Sequence, residues 1–135
     1  MRITFVHLGR ENLGIEYLSS VLKKAGHETF LAHDPGLFSR EDNVFHIASL
    51  ERFFDRRKSV LETIENTNPD VVAFSVYTST YQWAKQIAES VKKKTGAKTV
   101  FGGVHATLVP EVVIQDEAVD YVIEGEGEDA LLDFV

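Results

Sequence analysis

Hydrophobic positions along the chain fall into short β-branched runs separated by stretches with helical spacing. Arg2 to Val6 (RITFV) is a brief apolar run of the kind buried on both faces of a parallel sheet, and it predicts a first strand. Leu13, Ile15, Leu18, Val21 and Leu22 recur at helical intervals, with Lys23 and Lys24 in the last turn and Gly26 set as a left-handed stop. Glu28 to Ala32 (ETFLA) follows as a second strand, and so short a strand, helix, strand unit closes right-handedly onto a parallel neighbour. Pro35, Gly36 and the charged Arg40, Glu41 and Asp42 predict a loop, followed by amphipathic helices over Val44 to Phe54 and Ser59 to Ile64. Asp70 to Val76 (DVVAFSV), entered through Pro69, predicts a central third strand. Trp83, Ile87 and Val91 mark a helix over Thr80 to Lys94 with Gly96 as its stop. Lys98 to Phe101 predicts a fourth strand, Pro110 to Gln115 a short helix, Val119 to Ile123 a fifth strand and Glu128 to Val135 the beginning of a last helix.

Strands alternating with helices in this way define an α/β fold, a doubly wound parallel five-stranded sheet in a three-layer α/β/α sandwich. The first strand is not followed by a glycine fingerprint, which favours the flavodoxin-like order 2-1-3-4-5 over the dinucleotide-binding order. Ligands of such sheets bind beyond the carboxyl ends of the strands, so the loops that matter are named before any motif is.

Composition narrows the classes of function. With 135 residues, 44% of them hydrophobic, the chain has the size of one domain with one core. Its 14 basic and 21 acidic residues give a net charge of -7, which opposes attraction to phosphodiester backbones and anionic lipid and excludes nucleic acid and membrane as expected partners. No apolar run approaches the roughly 20 residues of a spanning helix, and the N-terminus lacks a basic segment followed by an apolar one, so a cytoplasmic location is expected. Cysteine is absent, which removes disulfides, thiolate nucleophiles and cysteine ligation of iron–sulfur clusters or zinc.

At the predicted carboxyl ends stand His7-Leu8-Gly9 and Glu11 to Gly14 after the first strand, and Ser75 to Thr80 (SVYTST) after the third. Gly102 to Thr107 (GGVHAT) follows the fourth and Glu124 to Glu128 (EGEGE) the fifth. Each glycine pair by itself can be a turn device. Together with a hydroxyl-rich loop on the same rim, the pairs let a large flat ligand or its tail approach the backbone closely. A phosphoacceptor receiver would need an acidic pair, an aspartate and a lysine where this chain has His7 and Leu8, Ser75 and Glu124. Flavin mononucleotide would need a hydroxyl-rich phosphate loop where this chain has HLGRENLG with Glu11, and no glycine-lysine-hydroxyl phosphate loop exists.

The series Leu13-Gly14-Ile15-x-Tyr17-Leu18, Lys24-Ala25-Gly26-His27, a third strand ending in Ser75, Gly102-Gly103-x-His105-Ala106-Thr107 with Pro110-Glu111, and Asp120-Tyr121-Val122 with Gly125-Glu126-Gly127-Glu128 resembles the cobalamin-binding domain of cobalamin-dependent radical S-adenosylmethionine enzymes. The resemblance runs nearly end to end. It implies that the dimethylbenzimidazole tail threads into the sheet between the third- and fourth-strand loops, with the corrin over the carboxyl ends. Ser75, Val76, Tyr77 and Thr78 would then line one side of the tail pocket and Gly102, Gly103 and His105 the other. Glu124, Gly125, Glu126 and Gly127 would approach the base, and His7, Leu8, Gly9, Leu13 and Gly14 would complete the rim. The chain departs from the mutase and methionine synthase type, where Asp-x-His-x-x-Gly supplies the lower cobalt ligand. His7 lacks an aspartate two residues before it, so its reading as a metal ligand stands against that of an ordinary polar loop residue.

His105 lies in a glycine turn without a serine or aspartate partner of known geometry and reads as a pocket or turn residue. Glu124, Glu126 and Glu128 match a hard-cation site in chemistry and a solvated loop in composition, with Glu128 suited to a helix start. His27, His33 and His46 do not cluster in sequence, and Phe53, Phe54 and Trp83 sit at core positions of helices. In full-length relatives a second domain holds a 4Fe-4S cluster and S-adenosylmethionine and runs methyl transfer or related radical chemistry. The expectation is therefore one cobalamin-binding domain over residues 1–135, a piece of a longer chain, that positions cobalamin for a radical S-adenosylmethionine domain in cis and is not itself catalytic. The competing readings are a flavodoxin-like interaction or sensing module that has lost its cofactor, and a hydrolase or transferase acting through His105.

Overall fold

A computed structural model of the chain describes residues 1–9, 12–36 and 56–135. Five strands, β1 (Arg2–Leu8), β2 (Glu28–Asp34), β3 (Val71–Ser75), β4 (Lys98–Gly102) and β5 (Tyr121–Val122), form one sheet in the order β2-β1-β3-β4-β5. Every pairing is parallel. The helices among the described residues are α1 (Leu13–Lys24), α2 (Arg57–Thr67), α3 (Tyr81–Lys94), α4 (Val104–Leu108), α5 (Pro110–Val113) and α6 (Gly127–Phe134). This is the flavodoxin-like arrangement that the strand and helix spacing predicts.

The pleat sends alternate residues of each strand to opposite faces, and each face has its own core. Ile3 and Phe5 of β1, Val71 and Ala73 of β3 and Val100 of β4 pack under Ile15, Leu22 and Leu131 of α1 and α6. Val6, Phe74 and Phe101 point the other way, against Val60 and Ile64 of α2 and Ile87 and Val91 of α3. Single aspartates tie the amino ends. Asp70 accepts the Arg2 amide at 2.7 Å, and Asp120 accepts the Thr99 amide at 2.9 Å and the Lys92 ammonium at 2.8 Å.

Several boundaries move relative to the sequence reading. β1 and β2 run two residues further than expected and pair to Leu8 and Asp34, so His7 and Leu8 belong to the strand and not to the loop. β5 is shorter than expected, and an unexpected α4 fills the turn after the Gly-Gly pair, because Gly103 at φ 90 reverses the chain directly into a helical turn. Gly26 takes the left-handed stop at φ 90. Gly96 does not; α3 ends through an extended Thr95 whose hydroxyl donates to the Val91 carbonyl at 3.0 Å. The helix expected over Val44 to Phe54, with His46, Phe53 and Phe54, and the loop residues Arg40 to Asp42 lie outside the described residues, as do Arg10 and Glu11. Among the described residues no helix is long and apolar enough to cross a membrane.

Candidate functional site

A slot of about 180 Å³ opens at the carboxyl ends of the strands, on the face covered by α1 and α6. Its depth follows from the strand register. Ser75 of β3 pairs with Gly102 of β4, and one pleat deeper on the same face stand Ala73 and Val100. A hydroxymethyl, a hydrogen and a methyl occupy three of these four positions, and the sheet is correspondingly hollow there. Phe5 closes the floor, and Ile15, Leu18, Ile123 and Leu131 make the apolar walls.

The rim is held by backbone geometry. At φ 90, Gly103 is in a conformation that L side chains rarely adopt, and an added Cβ would stand 3.0 Å from the Val76 nitrogen and 3.2 Å from the Ser75 hydroxyl. The Val76 amide donates to the Gly102 carbonyl at 2.9 Å and the His105 amide to the Val76 carbonyl at 3.0 Å, which locks the two loops together. The Thr107 hydroxyl donates to the Gly103 carbonyl at 3.0 Å and accepts the Gly125 amide at 2.9 Å, joining the loop after β4 to the loop after β5. On the opposite side, Asn12 caps α1 by accepting the Ile15 amide at 3.2 Å and donates to the Ser75 hydroxyl at 3.3 Å. Gly127 packs close to Leu18, where an added Cβ would come within 3.5 Å.

Of the residues singled out from sequence, Gly14, Ser75, Gly102, Gly103, Gly125, Glu126 and Gly127 border the slot. The others lie around it. Leu13 is 75% exposed on the outer side of α1, and Glu124 is exposed in the loop after β5. Val76 is buried on the opposite face and shapes the rim through its backbone. Thr78 and His105 meet away from the slot, with Thr78 Oγ1 3.1 Å from His105 Nδ1 and the Tyr81 ring 4.6 Å from the imidazole, and the exposed Tyr77 is outside the slot lining. His7 is 5% exposed in β1, stacked 6.1 Å from His33, and Gly9 at φ 111 accepts the His33 Nε2 proton at 2.6 Å through its carbonyl. Leu8 pairs with Asp34 at the end of the same two strands. Among the described residues, no group of three or more histidine and acidic side chains is placed to hold a metal ion.

The floor and walls were not legible as site residues. Phe5, Ala73, Val100 and Ile123 read as buried strand, and only the pleat parity relative to Ser75 and Gly102 marks which of them face the slot. Glu128 also reaches the rim, at the first turn of α6.

The titrating groups with displaced pKa values lie elsewhere. Burial pushes the Asp116 carboxyl up, but the Lys85 ammonium at 2.6 Å, the Ala118 amide at 3.0 Å and the Tyr81 hydroxyl outweigh it and hold the carboxyl below its usual range. The same contact raises Lys85, first through its hydrogen bond to Asp116. Burial, then the Asp116 charge, raises Tyr81. Burial likewise pushes Asp120 up, and the Lys92 ammonium with the Thr99 amide and hydroxyl brings it below its usual range. These groups are ion pairs and hydrogen bonds that fasten α3 to the segment before β5.

Three comparisons bear on this geometry. A family model described as B12 binding domain matches residues 10–135. No curated protein matches the chain. Among solved structures, that of the apo form of OxsB, a cobalamin-dependent S-adenosylmethionine radical enzyme, is similar with a TM-score of 0.71 at 17% sequence identity, over 98% of this chain and 18% of that one. At that identity the likeness speaks for the fold, and the chain spans less than a fifth of OxsB. The family match extends over nearly the whole chain, and the chain therefore belongs to the B12-binding domain family.

Proposed function

We propose that the slot beneath α1 and α6 receives the nucleotide arm of cobalamin, with the corrin ring lying over the carboxyl ends of the strands. The observation that carries this reading is the contrast between an apolar floor of Phe5, Ala73 and Val100 and a rim of Ser75, Gly102, Gly103 and Gly125. An arm that ends in an alkylated bicyclic base and begins in a ribose phosphate has the same polarity along its length. An apolar cavity of roughly 150 Å³ is large enough for benzene. A slot of about 180 Å³ exceeds that volume and is open at its mouth, where a two-ring base can extend beyond it.

In this reading the chain's own residues bind and position. Gly102 leaves the width for a flat ring, Ser75 offers its hydroxyl at the mouth, and the Thr107 bridge keeps the two glycine loops in register. Apolar walls exclude water from the base, and no side-chain charge has to be desolvated at the floor. His7 stands at the end of β1 outside the lining of the slot, so we give it no role in holding the arm.

Bound cobalamin would supply methyl carriage or redox chemistry to a radical S-adenosylmethionine domain in cis, which would hold the 4Fe-4S cluster and S-adenosylmethionine; methyl transfer is the reaction type proposed for such a whole protein. Support comes from the likeness to OxsB, a cobalamin-dependent S-adenosylmethionine radical enzyme of which this chain spans 18%. The test is incubation of the purified chain with hydroxocobalamin followed by gel filtration. Corrin absorbance travelling with the protein at near one equivalent is expected, and its complete loss would leave the reading of a module without its cofactor.

A further inference from the structure

We infer that the slot discriminates among corrinoids by the base at the end of the nucleotide arm, accepting an alkylated benzimidazole and disfavouring a purine. This rests on the proposed placement of the arm and asks what the floor can recognise.

The lower part of the slot is made of Phe5, Ala73, Val100, Leu18, Leu131 and Ile123. None of these side chains carries a hydrogen-bonding atom. The strand backbone beneath them is engaged in the parallel ladder, with Ala73 paired to Val100 and Phe5 to Ala73. Among the described residues the polar side chains of the slot are Ser75, Glu126 and Glu128, and all three stand at its mouth. Ser75 lies one pleat above Ala73 and is already engaged with Asn12.

A benzimidazole base brings methyl groups and a hydrocarbon edge to this floor, and burial of that surface is favourable. A purine of similar outline brings ring nitrogens and, in adenine, an amino group to the same positions. Each polar group that loses water without gaining a partner weakens binding by about tenfold or more. Shape alone does not separate the two bases; the lack of donors and acceptors at the floor does.

The experiment is a set of equilibrium titrations of the 135-residue chain with cobalamin, its adenine-tailed analogue and cobinamide, which has no base. We expect cobalamin to bind tightest, with the adenine-tailed form weaker by about tenfold or more and cobinamide weaker still. The variant Ala73→Ser puts a hydroxyl on the floor and is expected to narrow the ratio between the two bases several-fold. Equal affinity for the two tailed corrinoids would overturn the inference while leaving cobalamin binding intact. Cobinamide binding as tightly as cobalamin would remove the arm from the slot and overturn it as well. If no corrinoid binds, the functional reading itself falls.

Discussion

The two faces of the sheet carry the same strands and have opposite packing. On the face covered by α2 and α3, Phe74 and Phe101 stack at 4.6 Å between ring centres, Tyr81 meets Phe101 edge-on, and Val76, Ala106 and Val113 fill the space up to the strand ends. On the face covered by α1 and α6, one residue along each strand, the corresponding positions are Ala73, Ser75 and Gly102, and a slot remains. Interiors are normally packed without voids larger than a water molecule. An open slot on one face, beside a filled one on the other, is therefore a feature of side-chain choice and not of the fold.

The comparison can be broken most directly on the filled face. Phe101→Ala removes a fully buried ring and should cost about 3–5 kcal/mol, read as a lower urea midpoint, while the molecules that remain folded keep their corrinoid affinity. On the open face the effects should be reversed. An added Cβ on Gly102 meets only ordinary contacts, at 3.7 Å and beyond, so Gly102→Leu should fold but plug the slot, with cobalamin affinity lost by about a hundredfold or more, roughly 3 kcal/mol, and an urea midpoint near that of the parent chain. A folded Gly102→Leu chain that binds cobalamin normally would show that the arm lies elsewhere. Thr107→Val removes the bridge between the glycine loops and should cost about 1 kcal/mol, with a several-fold loss of cobalamin affinity.

The smallest effects should come from pH, and they belong to the filled face and the amino ends. Asp116 and Asp120 titrate lower in the folded chain than the ordinary 3.8. Their contribution is thus complete above that value and is lost as pH falls through the folded values. Lys85 and Tyr81 titrate higher when folded than the ordinary 10.5 and 10.0, so their contribution is complete below those values and is lost as pH rises through the folded ones. Through these four groups the urea midpoint should fall as pH drops below about 4 and again as it rises above about 10. Asp116→Asn should reduce the alkaline limb, since it removes the hydrogen-bonded carboxylate that raises Lys85 and leaves burial as the cause that raises Tyr81. A change in corrinoid affinity with that substitution would mean that the two faces are coupled.

Much of the architecture is set by local pattern. The β-branched runs, the lysines and Gly26 at the end of α1, and the order of elements led to five parallel strands in the order 2-1-3-4-5, because hydrophobic period and chain reversal are properties of neighbouring residues. The glycines of the rim were legible for the same reason, as breaks at strand ends. Which of the flanking residues share a cavity was not. Thr78 and His105 stand in the same segments as Ser75 and Gly103 but meet each other beside Tyr81, and Phe5, Val100, Leu18 and Leu131, far apart in the chain, meet at the floor and walls. Sequence alone determined that small residues gather at one edge of this sheet; the register of β3 against β4 and the seating of α1 and α6 decided that they enclose a slot, because pleat parity across strands is a property of pairing and not of any single strand.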